Sequence, residues 1–311
     1  MKPILPLLLT LLILLTACAP AAAPETAPSQ TALTFTDDLG RTVTVDNPQR
    51  VAALLGSFAQ IWQLAGGEVC ATADDAWDDL HLDLPDDTVN LGNTKELSLE
   101  LLLSSQPDLI LASANTRQNL EWMETLDAAG IPTAYFDVAN FDDYLHLLKL
   151  CIDLTAREDL YEKHGLSVKT HIQSQLNRAS ARNSNPTVLV MRASASSVTV
   201  KNSQDNVLGE MLRDLGCQNI ADSDTSLLEN LSIEGILAAD PDYIFIVQRG
   251  DDAEGTRKNV ETMFQENPAW QQLTAIKEGN LYFMDKNLYN LKPNHRWGEA
   301  MEKLEDILEN G

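Results

Sequence analysis

The chain has 311 residues and a formal charge of −24, from 46 acidic and 22 basic residues. This charge argues against nucleic acid as a partner, because phosphate groups are bound by basic surfaces, and it disfavours a basic membrane-binding face. With 44% hydrophobic and 22% charged residues, the composition is that of a globular protein with room for one large or two ordinary domains.

Residues 1–17 predict an export signal. Lys2 precedes an apolar stretch from Ile4 to Leu15, which as a helix would measure about 18 Å, too short for a bilayer core of roughly 30 Å. Leu15-Thr16-Ala17-Cys18 resembles a bacterial lipobox, which predicts acylation of Cys18 and attachment to a lipid membrane. The alternative is a plain signal peptide with a cysteine near its cleavage site. Residues 18–33, rich in Ala, Pro and Thr, predict a flexible tether.

Residues 34–154 predict an N-terminal α/β lobe. The sequence FTDDLGRTVTVDN indicates a hairpin with its turn near Gly40. After it, short apolar strands alternate with helices, a pattern typical of parallel sheets. We expect strands at 50–55, 68–73, 108–113 and 133–138, and helices at 59–65, 99–105 and 119–129.

A long helix is predicted over residues 155–182. Thr155 and Glu158 have the spacing of a capping box, with Thr155 as the N-cap. Apolar and half-polar residues then recur every four positions from Leu160 to Leu176, which marks one helical face. A helix of about 39 Å exceeds the need of one lobe, so it is expected to connect two.

Residues 183–311 predict a C-terminal α/β lobe of similar plan. Strands are expected at 187–192, 242–247 and 281–285, with a strand remnant at 219–222. Helices are expected at 206–216, 260–265 and 297–308. The predicted fold class is therefore α/β, with two doubly wound α/β lobes joined by one long backbone helix and a ligand cleft between the lobes.

One short element occurs twice. LSLELLLSSQPDLILAS begins at residue 97 and LSIEGILAADPDYIFIV at residue 231, an offset of 231 − 97 = 134. In each copy a serine is placed to cap a helix, which leaves Glu100 or Glu234 in the first turn, where the helix dipole favours a carboxylate. For each glutamate taken alone, the alternative that it only stabilises the end of its helix remains open.

Candidate ligand-binding residues lie in loops that follow predicted strands, where ligands of such sheets bind. Aromatic and cationic side chains suit a flat or chelated, partly anionic ligand. The alternative for Trp62 is the core, and for Arg296 and Lys292 a solvated role. The predicted set is Phe58, Trp62, Trp77 and Asn93 in the first lobe and Arg192, Arg249, Tyr289 and Arg296 in the second.

These features together resemble the helical-backbone class of ABC-transporter substrate-binding lipoproteins, which carry ferric siderophores, haem and vitamin B12. FTDDLGRTVTVDNPQRVAAL, the repeated element and LKPNHRWGEA carry the resemblance, which covers residues 34–311. It implies a monomer without a resident cofactor that captures a ferric siderophore-type chelate, a small-molecule metal complex. It also implies that Glu100 and Glu234 pair with arginines of the ABC permease. Cobalamin or another corrinoid, haem and an oxyanion remain alternative ligands, with Tyr289 or His295 as axial candidates for haem.

An enzyme is not indicated. The sequence contains no GxGxxG, GxxxxGK[ST], GxSxG or HExxH motif, and its five histidines lack the spacing of metal ligands. An exported hydrolase and a structural adhesin remain as alternatives of other classes. Cys70, Cys151 and Cys217 form no CxxC pair and are expected to be free thiols, with one disulfide left open. The expected location is outside the cytoplasm, on the cell surface or in the periplasm.

Overall fold

The computed structural model describes residues 32–204 and 206–310. The predicted signal peptide, Cys18 and nearly all of the tether lie outside the described residues. The first element is the predicted hairpin, with β1 (Leu33–Thr36) antiparallel to β2 (Thr42–Val45). The Asp37 carboxylate orders its turn by accepting hydrogen bonds from the backbone N–H groups of Leu39 and Arg41.

The N-terminal lobe is built on a parallel sheet of five strands in the order β5-β4-β3-β6-β7. Alternate residues of β6 belong to two hydrophobic clusters, one on each face, so helices cover both sides. The strands are β3 (Val51–Ala53), β4 (Val69–Thr72), β5 (Val89–Asn90), β6 (Leu109–Ser113) and β7 (Thr133–Phe136). The helices are α1 (Gly56–Leu64), α2 (Asp75–Asp78), α3 (Leu99–Ser104), α4 (Arg117–Glu121), α5 (Met123–Ala128) and α6 (Phe141–Thr155).

The linking helix begins three residues later than predicted. It comprises α7 (Glu158–Tyr161), a π-helical turn (Glu162–Leu166) and α8 (Ser167–Arg182). The capping box is wrong, because Thr155 is the last residue of α6 and its hydroxyl donates to the backbone oxygen of Ala65, 2.7 Å away. Ala156 has a left-handed backbone conformation and ends that helix.

The C-terminal lobe has a sheet in the order β10-β8-β11-β12, with β9 antiparallel to β8. The predicted strand at 219–222 is wrong for most of its length, because residues from Ile220 onward form a short helix. The strands are β8 (Thr187–Ala193), β9 (Val198–Lys201), β10 (Gln218–Asn219), β11 (Tyr243–Gln248) and β12 (Leu281–Met284). The α-helices are α9 (Val207–Asp214), α10 (Ile220–Ser223), α11 (Ser226–Glu229), α12 (Ile233–Ala239), α13 (Ala253–Glu266), α14 (Thr274–Glu278), α15 (Lys286–Tyr289) and α16 (Trp297–Asn310), with 3-10 turns at Pro268–Gln272 and Asn294–Arg296.

The two lobes and the linking helix share one hydrophobic cluster. It contains residues of β3 and β6 from the first lobe, of β8 and β11 from the second, and Val168 of the linking helix. At its far end, Arg182 forms a buried ion pair with Glu305 of α16 and also donates to the backbone oxygen of Leu215. Because this core is continuous, the lobes are not free to swing apart widely.

Candidate functional site

The strand orders place a crevice in each lobe. Chain order reverses between β3 and β6 in the first sheet and between β8 and β11 in the second. In doubly wound sheets such reversal points leave a crevice outside the carboxyl ends of the strands. Gly56 follows β3, and Arg249 follows β11.

A cavity of about 560 Å³ lies between the two lobes. Side chains at the carboxyl ends of strands from both sheets form its wall, so it has the place expected of a ligand cleft. From the first lobe it is lined by Asp78, Asp79 and His81, and from the second by Gln248, Asp251, Asp285, Lys286 and Asn287.

Helix α2 carries the first-lobe wall and is fixed against the start of α1. The carboxylate of Asp75 accepts a hydrogen bond of 2.8 Å from the backbone N–H of Gly56. A β-carbon at Gly56 would lie 2.5 Å from the backbone nitrogen of Ala76, so only glycine permits this approach. Burial raises the pKa of Asp75 to about 6, and the charges of Asp74 and Asp79 add to the rise.

Two arginines stand at the reversal point of the second sheet without an anionic partner. In residues 32–204 and 206–310, neither Arg192 nor Arg249 forms an ion pair or a side-chain hydrogen bond, and the Nε atom of Arg192 is buried and unsatisfied. Burial lowers the pKa of the Arg192 guanidinium, and the charge of Arg249 lowers it further. An unpaired cation in a partly dry site is costly unless an anion completes it.

The other cations of the region have partners. Arg296 pairs with Glu299 at 2.7 Å. Lys292 donates to the backbone oxygen of Val138, and burial lowers its pKa. The side chain of Lys292 therefore connects the lobes beside the cleft. The alternative of a solvated role for Lys292 is wrong. The guanidinium group of Arg296 is already engaged in its ion pair with Glu299.

Three of the predicted aromatic contacts belong to the core. Phe58 is fully buried, Trp62 is 3% exposed and Tyr289 is 2% exposed. The indole N–H of Trp62 donates to the backbone oxygen of Glu68, and the hydroxyl of Tyr289 donates to that of Ala300. Since these side chains pack inward with their polar atoms satisfied, their assignment to the ligand site is corrected.

The remaining two predicted contacts of the first lobe lie on its surface. Trp77 precedes Asp78 in α2, is partly exposed and adjoins the cavity. Asn93 is exposed on the loop after the edge strand β5, where its side chain accepts from the backbone N–H of Lys95. Arg192 and Arg249 lie near each other, since the charge of Arg249 lowers the pKa of Arg192. Neither they nor Trp77 and Asn93 are among the residues that line the cavity, although Trp77 and Arg249 are the sequence neighbours of the lining residues Asp78 and Gln248.

The sequence analysis missed Lys286, Asn287 and Asp79. Lys286 and Asn287 follow the end of β12 after one intervening residue, Asp285, so their place near a strand end was available as a signal. Asp79 lies in the acidic stretch ATADDAWDDLHLDLPDD, whose pattern does not mark one carboxylate out from the others. Its contact with Lys286 joins residues 207 positions apart, which no local pattern reveals.

The aspartates and serines of the repeated element form structural hydrogen bonds in each lobe. Asp108 accepts hydrogen bonds from the backbone N–H groups of Gln49 and Arg50, and Asp242 accepts one from Thr187, so each aspartate fixes the first strand of its own lobe. The predicted caps are confirmed, because the hydroxyls of Ser98 and Ser232 accept from the N3 backbone N–H of α3 and α12.

Glu100 takes no part in these bonds, and Glu234 only accepts a hydrogen bond of 3.4 Å from the hydroxyl of Ser232. Both are exposed, and neither forms an ion pair within the described residues. One unpaired carboxylate therefore stands on each lobe at equivalent positions.

Other kinds of site receive no support within the described residues. No cluster of three or more His, Cys, Asp or Glu side chains there has a geometry suited to a metal ion. Cys70, Cys151 and Cys217 are free thiols. None of the helices in this part of the chain has the length and apolar character that a membrane span needs.

Comparison with known proteins gives consistent results. The family model described as "Periplasmic binding protein" matches residues 51–288. The Fe(3+)-citrate-binding protein YfmC of Bacillus subtilis (strain 168) is 26% identical over 266 residues, 84% of this chain and 81% of that protein.

Two solved structures illustrate the shared fold. The siderophore-binding protein BauB, bound to a complex of two acinetobactin molecules and ferric iron, aligns with a TM-score of 0.70 at 21% identity, covering 89% of this chain and 98% of that one. Staphylococcus aureus IsdE complexed with heme aligns with a TM-score of 0.67 at 16% identity, covering 83% and 98%.

Proposed function

Because the chain belongs to the periplasmic binding protein family, we propose that it is the extracytoplasmic substrate-binding protein of an ABC importer for an iron complex. It captures a ferric siderophore-type chelate with anionic groups and delivers it to the membrane permease. The iron is cargo, so the protein needs no resident cofactor. In this proposal it also catalyses no reaction and acts as a monomer. Acylated Cys18 attaches it to the lipid membrane at the cell surface or in the periplasm.

The pair of unpartnered arginines carries this proposal. Every other arginine in the described residues has a carboxylate, a backbone oxygen or an aromatic ring as its partner; Arg257, for example, lies 4.1 Å from the centroid of the Phe283 ring. In a chain of charge −24, two adjacent arginines without a carboxylate are an exception. The buried, unsatisfied Nε atom of Arg192 and the exposed Arg249 beside it favour an anion from outside. Carboxylate oxygens of a chelate meet this need with charge-assisted hydrogen bonds.

Haem is the alternative that lost the most support. The axial ligands expected for it were Tyr289 and His295. The Tyr289 hydroxyl is engaged with Ala300, and His295 packs edge-on against His164 with ring centroids 5.9 Å apart. Haem would need His81, which lines the cavity. A carboxylate-rich chelate such as ferric citrate uses the arginines instead and is the better match.

Titration calorimetry with ferric citrate tests the proposal. Each charge-assisted hydrogen bond contributes about 1.5–3 kcal/mol, so Arg192→Ala with Arg249→Ala should weaken binding at least about tenfold. The melting temperature of the empty protein should stay unchanged or rise, since repulsion between the two cations is removed. Arg257→Ala, in the same lobe but paired with Phe283, is the matched control. Unchanged affinity in the double variant would remove both arginines from the site, and a Soret band with haem but no citrate binding would favour haem.

Delivery is proposed to use the two exposed glutamates. Glu100 and Glu234 stand on different lobes and are free of ion pairs in the described part of the chain. Two carboxylates at equivalent positions suit two arginine-bearing surfaces of a permease, because electrostatic complementarity fixes the register of docking.

A further inference from the structure

Lys286 lies between carboxylates of both lobes. Its ammonium group is 2.6 Å from an oxygen of Asp79 in the first lobe and 2.6 Å from an oxygen of Asp251 in the second. The amide of the neighbouring Asn287 donates to the backbone oxygen of Asp79 at 3.1 Å. These contacts cross the cavity between the lobes, which is also lined by Gln248, the residue directly before Arg249.

The two ion pairs differ in their exposure. The side chains of Lys286 and Asp79 are 16% and 22% exposed, whereas that of Asp251 is 86% exposed. Burial by itself would lower the pKa of Lys286, and the hydrogen bonds to Asp251 and Asp79 more than offset this and raise it. Solvent screens the bond to Asp251 strongly, so that pair contributes little. The pair with Asp79 is shielded from solvent and is the stronger of the two, and it adds a bridge between the lobes at the cavity.

The wall of the cavity is mainly negative, which makes Lys286 important for any anionic group that enters. Asp78, Asp79, Asp251 and Asp285 all line the cavity, and Lys286 is the only lysine or arginine among the residues that line it. An anionic group entering here meets four carboxylates and one ammonium. Contact with the Lys286 ammonium group is therefore needed to offset the repulsion between the carboxylates and such a group in this part of the cleft.

We propose that Lys286 is a ligand-binding residue whose ammonium group is paired with the Asp79 carboxylate until cargo binds. In the empty protein the Lys286–Asp79 pair bridges the lobes, and an anionic oxygen of the chelate takes Asp79's place on binding. The nature of the cargo rests on the proposed function; the bridge in the empty protein does not. Lys286 then determines specificity, because a chelate without an anionic group cannot replace the Asp79 carboxylate.

The bridge is tested first, without any ligand. Spin labels at Glu124→Cys in the first lobe and Glu261→Cys in the second, in a Cys70→Ser background, report the distance between the lobes by electron–electron resonance. Asp79→Ala should lengthen or broaden the distance distribution of the empty protein. Asp251→Ala, which removes a carboxylate from the same ammonium within one lobe, should leave the distribution as in the parent. Equal distributions in Asp79→Ala and the parent would overturn the bridge.

Binding of ferric citrate then tests the exchange. Asp79→Ala should bind ferric citrate about fivefold more tightly, or with an association rate about fivefold higher, because the competing carboxylate is gone. Lys286→Met should bind it about tenfold more weakly. Glu254→Ala, which removes an exposed carboxylate of the second lobe that does not line the cavity, should stay within about twofold of the parent. Weaker binding by Asp79→Ala, or unchanged binding by Lys286→Met, would overturn the exchange. If the parent binds no ferric citrate, the exchange and the proposed ligand both fail, while the distances still decide the bridge.

Discussion

Asp75 offers a sharp test of the electrostatics of the cleft. It is the first residue of α2, and burial of its carboxyl group raises its pKa from 3.8 to about 6. The folded protein therefore holds this proton more tightly than the unfolded chain does. Stability from the protonated form is fully present below pH 3.8 and is lost as the pH rises through about 6.

The substitution Asp75→Asn keeps an acceptor for the Gly56 N–H but removes the ionisable group. One pKa unit corresponds to about 1.4 kcal/mol, so at pH 8 the variant should gain about 3 kcal/mol in free energy of unfolding. At pH 4.5 the gain should be about 1 kcal/mol. For a domain of this size the gain at pH 8 corresponds to roughly 6 °C in melting temperature.

Thermal unfolding followed by circular dichroism from pH 4.5 to pH 8 measures this difference. Asp78→Asn is the matched control, because it removes the same charge from the same helix at an exposed position that does not bond to Gly56. Its melting temperature should show no comparable growth with pH. A gain for Asp75→Asn that is equal at both ends of the range, or a loss at pH 8, would refute the burial argument.

Three further outcomes are expected. In a bacterial host, Cys18→Ser should abolish incorporation of labelled fatty acid; unaffected labelling would exclude the lipobox. Scattering curves with and without cargo should give nearly equal radii of gyration, because the lobes share a core along the linking helix; a contraction of several ångströms would contradict this. Glu100→Lys with Glu234→Lys should bind cargo normally, lose at most about 1 kcal/mol of stability per helix and fail to support uptake. Uptake at the wild-type rate would reduce both carboxylates to helix-end stabilisers.

The architecture was predictable because its signals are local. Strands such as β6 and β8 are continuous apolar runs, and helices such as α12 begin at a serine that caps them. The start of the linking helix was missed because two patterns competed at Thr155. Its hydroxyl bonds to the backbone oxygen of Ala65, 90 residues away in the chain, and this tertiary contact overrides the local capping pattern.

The site was less predictable because burial and pairing depend on distant residues. Trp62 and Tyr289 are residue types common in ligand sites, but both pack into the core. The Tyr289 hydroxyl donates to Ala300 of α16, and the Trp62 indole donates to Glu68 in the loop before β4. Arg192 and Arg249 were found because a strand end specifies their location. Lys286 was missed although it too follows a strand, since its importance depends on Asp79 in the other lobe.

The bonds from Lys292 and Asn294 to the first lobe have a consequence for the order of folding. The amide of Asn294 donates to the backbone oxygen of Ser57 across 237 residues, and Lys292 reaches Val138 across 154. A ribosome completes the partners Ser57 and Val138 long before it adds Lys292 and Asn294, and contacts of such high contact order form late in refolding. Pulse-labelling hydrogen exchange should therefore find the amides between Lys286 and Arg296 among the last to gain protection. The residues that complete the cleft thus belong to the last tenth of the chain, and they are synthesised after most of both lobes.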